Sequence, residues 1–175
     1  NTRKARGDLD GAVGAYNAAL ASTPGDAEVL CNLGNALQAL ERNEEAADSY
    51  RRALALEPRL VMAHSNLGAA LQNLEQYAQS EESYRTALSL APRHADLWNG
   101  LGNSLQSQQR LDDAADAYRQ ALAVQPDYSQ AHSNLGGVLV SLGEFDAAIA
   151  SYRRALELQP DSADAHTQLG LGLQS

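Results

Sequence analysis

The segment Ser129–Ser162 reads SQAHSNLGGVLVSLGEFDAAIASYRRALELQPDS, and the reading of this stretch decides the fold. Shifted back by 34 residues, the same chemistry returns at 95–128, then at 61–94 and at 27–60. The prolines Pro24, Pro58, Pro92, Pro126 and Pro160 keep that spacing throughout. A fixed period of this length marks units that cannot bury an apolar face alone and must stack on one another. The spacing predicts a single elongated array over 1–175. A partial repeat at 1–26 precedes full repeats at 27–60, 61–94, 95–128 and 129–162, and a partial repeat with one helix follows at 163–175. Both ends cut through a repeat, which reads as a fragment of a longer array.

With proline numbered as position 32 of each repeat, the pattern predicts a helix A over roughly positions 2–14 and a helix B over 18–30, joined by a tight turn. At 100° per residue, helix A positions 4, 7, 8, 11 and 14 share one face, as His64, Leu67, Gly68, Leu71 and Leu74 do in the second full repeat. Position 8 is glycine throughout, at Gly34, Gly68, Gly102, Gly136 and Gly170. Glycine costs about 1 kcal/mol against alanine inside a helix, a cost that makes sense where another helix crosses at contact distance. In helix B, Tyr50, Tyr84, Tyr118 and Tyr152 stand at position 24, between a small residue at position 20 and alanine at position 27. At the start of the chain, residues 1–6 read as the end of one helix. Gly7 and Asp8 read as a turn into a second, which carries Leu9, Ala12, Tyr16, Ala19 and Leu20. Position 17, apolar elsewhere, is Asn43 in the first full repeat, so a looser turn is expected there.

The combination of Leu-Gly in helix A, alanine and an aromatic in helix B, alanine again and then proline resembles the tetratricopeptide repeat over the whole chain. The resemblance implies an all-α fold, an α-solenoid of helix-turn-helix repeats in a right-handed superhelix, with the A helices on the concave side. Position 4, often tryptophan in that family, is Leu30, His64, Trp98, His132 and His166 here.

The formal net charge of -9 and pI near 4.8 argue against nucleic acid and anionic membrane as partners, since both need clustered cations. No continuous apolar run is long enough for a membrane span. A lone Cys31 cannot form an internal disulfide, which fits a reducing, cytoplasmic setting, and no activating base stands near it in the sequence. No nucleophile with a base and an orienting acid is found, and Gly100-Leu101-Gly102 lies inside a predicted helix, not in a phosphate loop. The reading is therefore of a binding module, not an enzyme, without a cofactor. His132 and His166 stand one repeat apart, roughly 8–10 Å between helices, too far to share a metal in the ordinary geometry. The expected role of these histidines is packing, with one ring nitrogen bonded nearby.

The informative face of helix A is the one opposite the packing stripe. Position 6 gives Asn32, Asn66, Gly100, Asn134 and Gln168, and position 12 gives Gln38, Gln72 and Gln106 before Val140. Position 9 adds Asn35 and Asn103, and position 5 adds Asn99. No Lys or Arg occurs on this face, and its charges are Glu28, Asp96 and Asp164. An amide carries a donor and an acceptor, so a row of them can pair with the main chain of an extended polypeptide whatever its side chains. The bland alternative is that the amides solvate the helix or bridge neighbouring repeats. The Asn-Leu-Gly triplets at 32–34, 66–68 and 134–136 resemble the asparagine ladder of the O-linked N-acetylglucosamine transferases, with Gly100 as an interruption. Two further readings stay open: the substrate-recognition arm of a larger enzyme such as a glycosyltransferase, or a structural assembly scaffold that self-associates end to end. Lys and Arg at positions 2, 5 and 6, with which co-chaperone repeats hold a C-terminal carboxylate, are absent. The final helix would leave Leu169 and Leu173 uncovered, so end-to-end self-association is also expected.

Overall fold

The computed structural model describes residues 2–161, with side chains from residue 7 onward. Among the described residues the chain forms nine helices and no strand. They are α1 (Thr2–Ser22), α2 (Ala27–Ala39), α3 (Asn43–Leu56), α4 (Val61–Asn73), α5 (Tyr77–Leu90), α6 (Ala95–Ser107), α7 (Leu111–Val124), α8 (Ser129–Ser141) and α9 (Phe145–Leu158). The even members are the A helices and, from α3, the odd members are the B helices. None of them is long and apolar enough to cross a membrane.

Two compact units are present, one with α1–α5 and one with α6–α9, divided between Ala91 and Pro92. In the first, α2 packs on α1 and α3, and α4 on α3 and α5; in the second, α6 and α8 each pack on α7, and α9 packs on α8. Within each unit the A helices also touch, α2 with α4 and α6 with α8, whereas among the described residues no such contact joins the B helices α3 and α5 or α7 and α9. The A side is thus the inner side of each unit.

The core follows the repeat. Positions 7 and 11 of helix A are buried leucines in all four full repeats: Leu33 and Leu37, Leu67 and Leu71, Leu101 and Leu105, Leu135 and Leu139. The stripe is centred differently from the expectation. Position 10 (Ala36, Ala70, Ser104, Val138) is buried in every repeat, and position 3 is buried at Ala63, Leu97 and Ala131, while position 14 is only half-buried at Leu74, Gln108 and Leu142. A helix held between two B helices buries an arc wider than one contact line.

Position 8 has its expected cause, and the crossing atoms are those of the tyrosine. A Cβ added at Gly34 or Gly102 would lie 2.5 Å from a ring carbon of Tyr50 or Tyr118, and at Gly68 or Gly136 it would lie 2.8 Å from Tyr84 or Tyr152. The A–B turns repeat with equal fidelity. Glu41, Glu75, Gln109 and Gly143 take positive φ of 62, 58, 62 and 79°. Arg42, Gln76, Arg110 and Glu144 then donate from their backbone N–H to the carbonyls of Leu37, Leu71, Leu105 and Leu139, closing a Schellman motif each time.

Three expectations are corrected. Helix α1 runs unbroken through Gly7 and Asp8. Gly7 is the counterpart of Glu41, but extending a helix adds a hydrogen bond per residue, while a turn is stabilised only by a partner helix folded back against it. Asn43 does not loosen its turn, because its side-chain oxygen accepts from Asn73 Nδ2 at 3.1 Å; the exposed residue at position 17 is Phe145. Among the ion pairs of the B helices, Asp48 pairs with Arg51 at 3.0 Å and the buried Glu81 pairs with Arg85. Helix A begins at position 1 in every full repeat, one residue early. Gln168, His166, Gly170 and the uncovered Leu169 and Leu173, with the self-association built on them, lie outside the described residues.

Candidate functional site

The A helices present their amides on the inner side of each unit, where the side chains of adjacent repeats meet. In the first unit, the Tyr50 hydroxyl reaches across from α3 to Asn35 Oδ1 at 2.7 Å and Gln38 Oε1 at 3.1 Å. Asn66 of the next repeat donates Nδ2 to the same Asn35 oxygen at 2.8 Å. The second unit repeats the arrangement. Tyr118 donates to Asn103 Oδ1 and to Gln106 Oε1, each at 2.8 Å, and Asn134 Nδ2 donates to Asn103 Oδ1 at 3.1 Å and to Asn99 Oδ1 at 3.0 Å. Gln130 Nε2 in turn holds Asn134 Oδ1 at 2.9 Å.

This network changes what the face can offer. The oxygens of Asn35, Gln38, Asn99, Asn103 and Gln106 are committed inside the protein, one phenolic hydrogen being shared between two amide oxygens in each unit. Their NH2 groups meet no acceptor among the described residues, and those of Asn35, Gln38, Asn103 and Gln106 belong to half-buried or exposed residues. The face is thus rich in unused donors and presents fewer free acceptors, among them the Asn66 oxygen. Asn32 is half-buried and Asn99 is buried; Gln72 is half-buried on the same face of α4 and takes part in an interaction of its own. Bridging thus takes up the oxygens of Asn35, Gln38, Asn103 and Gln106 and the NH2 groups of Asn66 and Asn134, and leaves the NH2 groups of the first four without an acceptor among the described residues.

Sequence reasoning treated the position-24 tyrosines as packing knobs only. The hydroxyls of Tyr50 and Tyr118 are also the hubs of the amide network, and a signal was present: asparagine at position 9 and glutamine at position 12 occur together in the first and third full repeats and are both missing in the fourth, at Gly137 and Val140. There the Tyr152 hydroxyl is buried and has no partner, the one such buried side-chain atom among the described residues. Burial pushes the phenols of Tyr50, Tyr84, Tyr118 and Tyr152 up, that of Tyr84 to about 12.

The position-4 rings have a structural use. His64 Nε2 and His132 Nε2 each lie 2.9 Å from the carbonyl oxygen of Pro58 and Pro126, and Trp98 Nε1 donates to the Pro92 carbonyl at the same 2.9 Å. Burial, then the acids Glu57 and Glu28, pushes the Cys31 thiol up, away from reactive thiolate.

The geometry agrees with comparisons to known proteins. Profiles described as tetratricopeptide repeat match residues 27–60, 59–127 and 100–163, and one described as TPR repeat matches 1–41. Among solved structures, the chain is similar to MamA at 25% identity and a TM-score of 0.84, covering 93% of this chain and 95% of that one. It is similar to TTC0263, a thermophilic TPR protein of Thermus thermophilus, at 25% identity and 0.76 over 99% and 95%. YrrB, a TPR protein with an unusual peptide-binding site, shares the fold at 24% identity and 0.75 over 91% and 82%. No curated protein matches the chain significantly by sequence.

Proposed function

Because the chain belongs to the tetratricopeptide-repeat family, whose repeats generally mediate protein–protein contacts, we propose that it binds an extended polypeptide on the helix A side of each unit. The observation that carries this reading is the set of unused amide donors on Asn35, Gln38, Asn103 and Gln106, whose oxygens are already held by buried tyrosines. Such donors are fixed in direction before a ligand arrives, which lowers the ordering cost of binding. They suit main-chain carbonyl oxygens, one type of group that every extended polypeptide presents at regular intervals. The same face carries no Lys or Arg, so a terminal carboxylate or phosphopeptide is not what it selects. A cytoplasmic module without catalytic chemistry of its own fits this reading.

The test removes donors while keeping the acceptors that the fold uses. In a Gln38→Glu, Gln106→Glu variant, each carboxylate still accepts from its tyrosine, but the NH2 groups are gone. An uncharged, capped nonapeptide of alternating serine and valine with a central proline serves as probe, since recognition is of the main chain. Calorimetry is expected to show binding to the original protein and at least tenfold weaker binding to the variant, with the unfolding temperature little changed. Equal affinities would remove the Gln38 and Gln106 donors from the site.

A further inference from the structure

We propose that the fourth full repeat holds a built subsite for a single hydrogen-bond acceptor, a main-chain carbonyl oxygen of the bound polypeptide, with the Tyr152 hydroxyl as its donor. The inference rests on the peptide-binding reading and assigns one part of it to one atom. In the first and third repeats, the phenol at position 24 ends on the asparagine at position 9 and the glutamine at position 12, at 2.7 to 3.1 Å. In the fourth repeat the same register puts the Tyr152 hydroxyl opposite Gly137 and Val140, neither of which has a side-chain acceptor. The ring itself is in its usual place, since a Cβ built on Gly136 would meet its carbons at 2.8 Å. A Cβ built on Gly137 would lie 3.5 Å from the hydroxyl oxygen, so the missing side chain is the one that would otherwise roof it.

Tyr152 is 1% exposed, and its oxygen has no partner. A buried hydroxyl left unsatisfied costs about 1–3 kcal/mol, and phenylalanine in its place would remove that cost. The three other repeats do not carry it among the described residues. The site therefore has a donor in waiting beneath the half-buried, side-chain-free Gly137, with the apolar Val140 in the place of a glutamine acceptor. A carbonyl oxygen fits this combination, since it accepts without bringing a donor that would itself be stranded against valine. The chemistry selects a polypeptide that presents an aliphatic side chain beside that carbonyl, to cover Val140 once water has left.

The experiment uses the whole chain and the same capped serine–valine nonapeptide. With 13C at the tyrosine Cζ, a carbon sensitive to hydrogen bonding of the hydroxyl, the Tyr152 resonance is expected to move on addition of the peptide while those of Tyr50 and Tyr118 stay in place. Tyr152→Phe is expected to weaken binding about tenfold and to leave the unfolding temperature unchanged or higher. A Gly137→Asn, Val140→Gln variant, which rebuilds the acceptor pair of the other repeats, is expected to weaken binding similarly and to raise the unfolding temperature. A stationary Tyr152 resonance, or equal affinity in Tyr152→Phe, overturns the subsite; if Gln38→Glu, Gln106→Glu still loses the peptide, the broader reading stands without it. Absence of binding to the original protein overturns both.

Discussion

At the scale of single residues, the position-8 glycines and the position-24 tyrosines form one device. The ring body of Tyr118 fills the space that a side chain on Gly102 would need, and the ring, fully buried, has no free direction in which to retreat. Gly102→Ala is expected to lower stability by about 1–2 kcal/mol, because overpacking of about 1–3 kcal/mol exceeds the helix propensity gained. Gly14 supplies the opposite sign. It lies in α1 with nothing near its missing Cβ, so Gly14→Ala should stabilise by about 0.5–1 kcal/mol. Urea unfolding of the two variants measures both, and a loss at Gly14 or a gain at Gly102 would refute the account. The interchange of histidine and tryptophan at position 4 has a similarly local reason. Each ring carries a nitrogen at the right reach to donate to the preceding proline's carbonyl, which a leucine such as Leu30 cannot do.

At the scale of the element, the helix A terminus is a Schellman turn whose left-handed residue is an ordinary L side chain in three repeats out of the four full ones. A left-handed residue with a Cβ costs roughly 1–2 kcal/mol, and glycine costs roughly 0.5–1 kcal/mol in unfolded-chain entropy. Gly143 shows that the turn accepts glycine unchanged. Glu75→Gly is therefore expected to raise stability by about 0.5 kcal/mol, and Gly143→Glu to lower it by about as much, both read from urea midpoints at constant slope. A fall in the Glu75→Gly midpoint would mean that the glutamate side chain does more than tolerate the turn.

For the molecule as a whole, the buried phenols couple stability to alkaline pH. Their folded pKa values lie above the ordinary value of about 10, that of Tyr84 at about 12. Below about pH 10 both folded and unfolded chains keep these protons, and the phenols contribute no slope. Above it the unfolded chain loses protons that the folded chain retains, so stability falls by up to about 1.4 kcal/mol per pH unit for each phenol. Because four repeats carry the same tyrosine, the losses add. The unfolding temperature followed by circular dichroism is expected to hold steady to pH 9.5 and then fall steeply to pH 11.5; a flat profile would show that the rings titrate without unfolding.

How much of this was legible in the sequence can be judged from particular residues. The 34-residue period, the leucines at positions 7 and 11, and the need for glycine at position 8 follow from the chain alone, because each reflects a local periodicity that every repeat states again. The continuation of α1 through Gly7 was not legible, since a turn depends on whether a partner helix stabilises it. Nor could the sequence say which atoms of the amides are free. Asn35 and Gln38 look alike as donors and acceptors until Tyr50, contributed by another helix 12 and 15 residues away, takes their oxygens. Sequence laid out the amides of helix A, repeat by repeat; tertiary structure decided which of their oxygens are already held and that Tyr152 is left without an acceptor, because hydrogen bonds between helices are settled only when the helices pack.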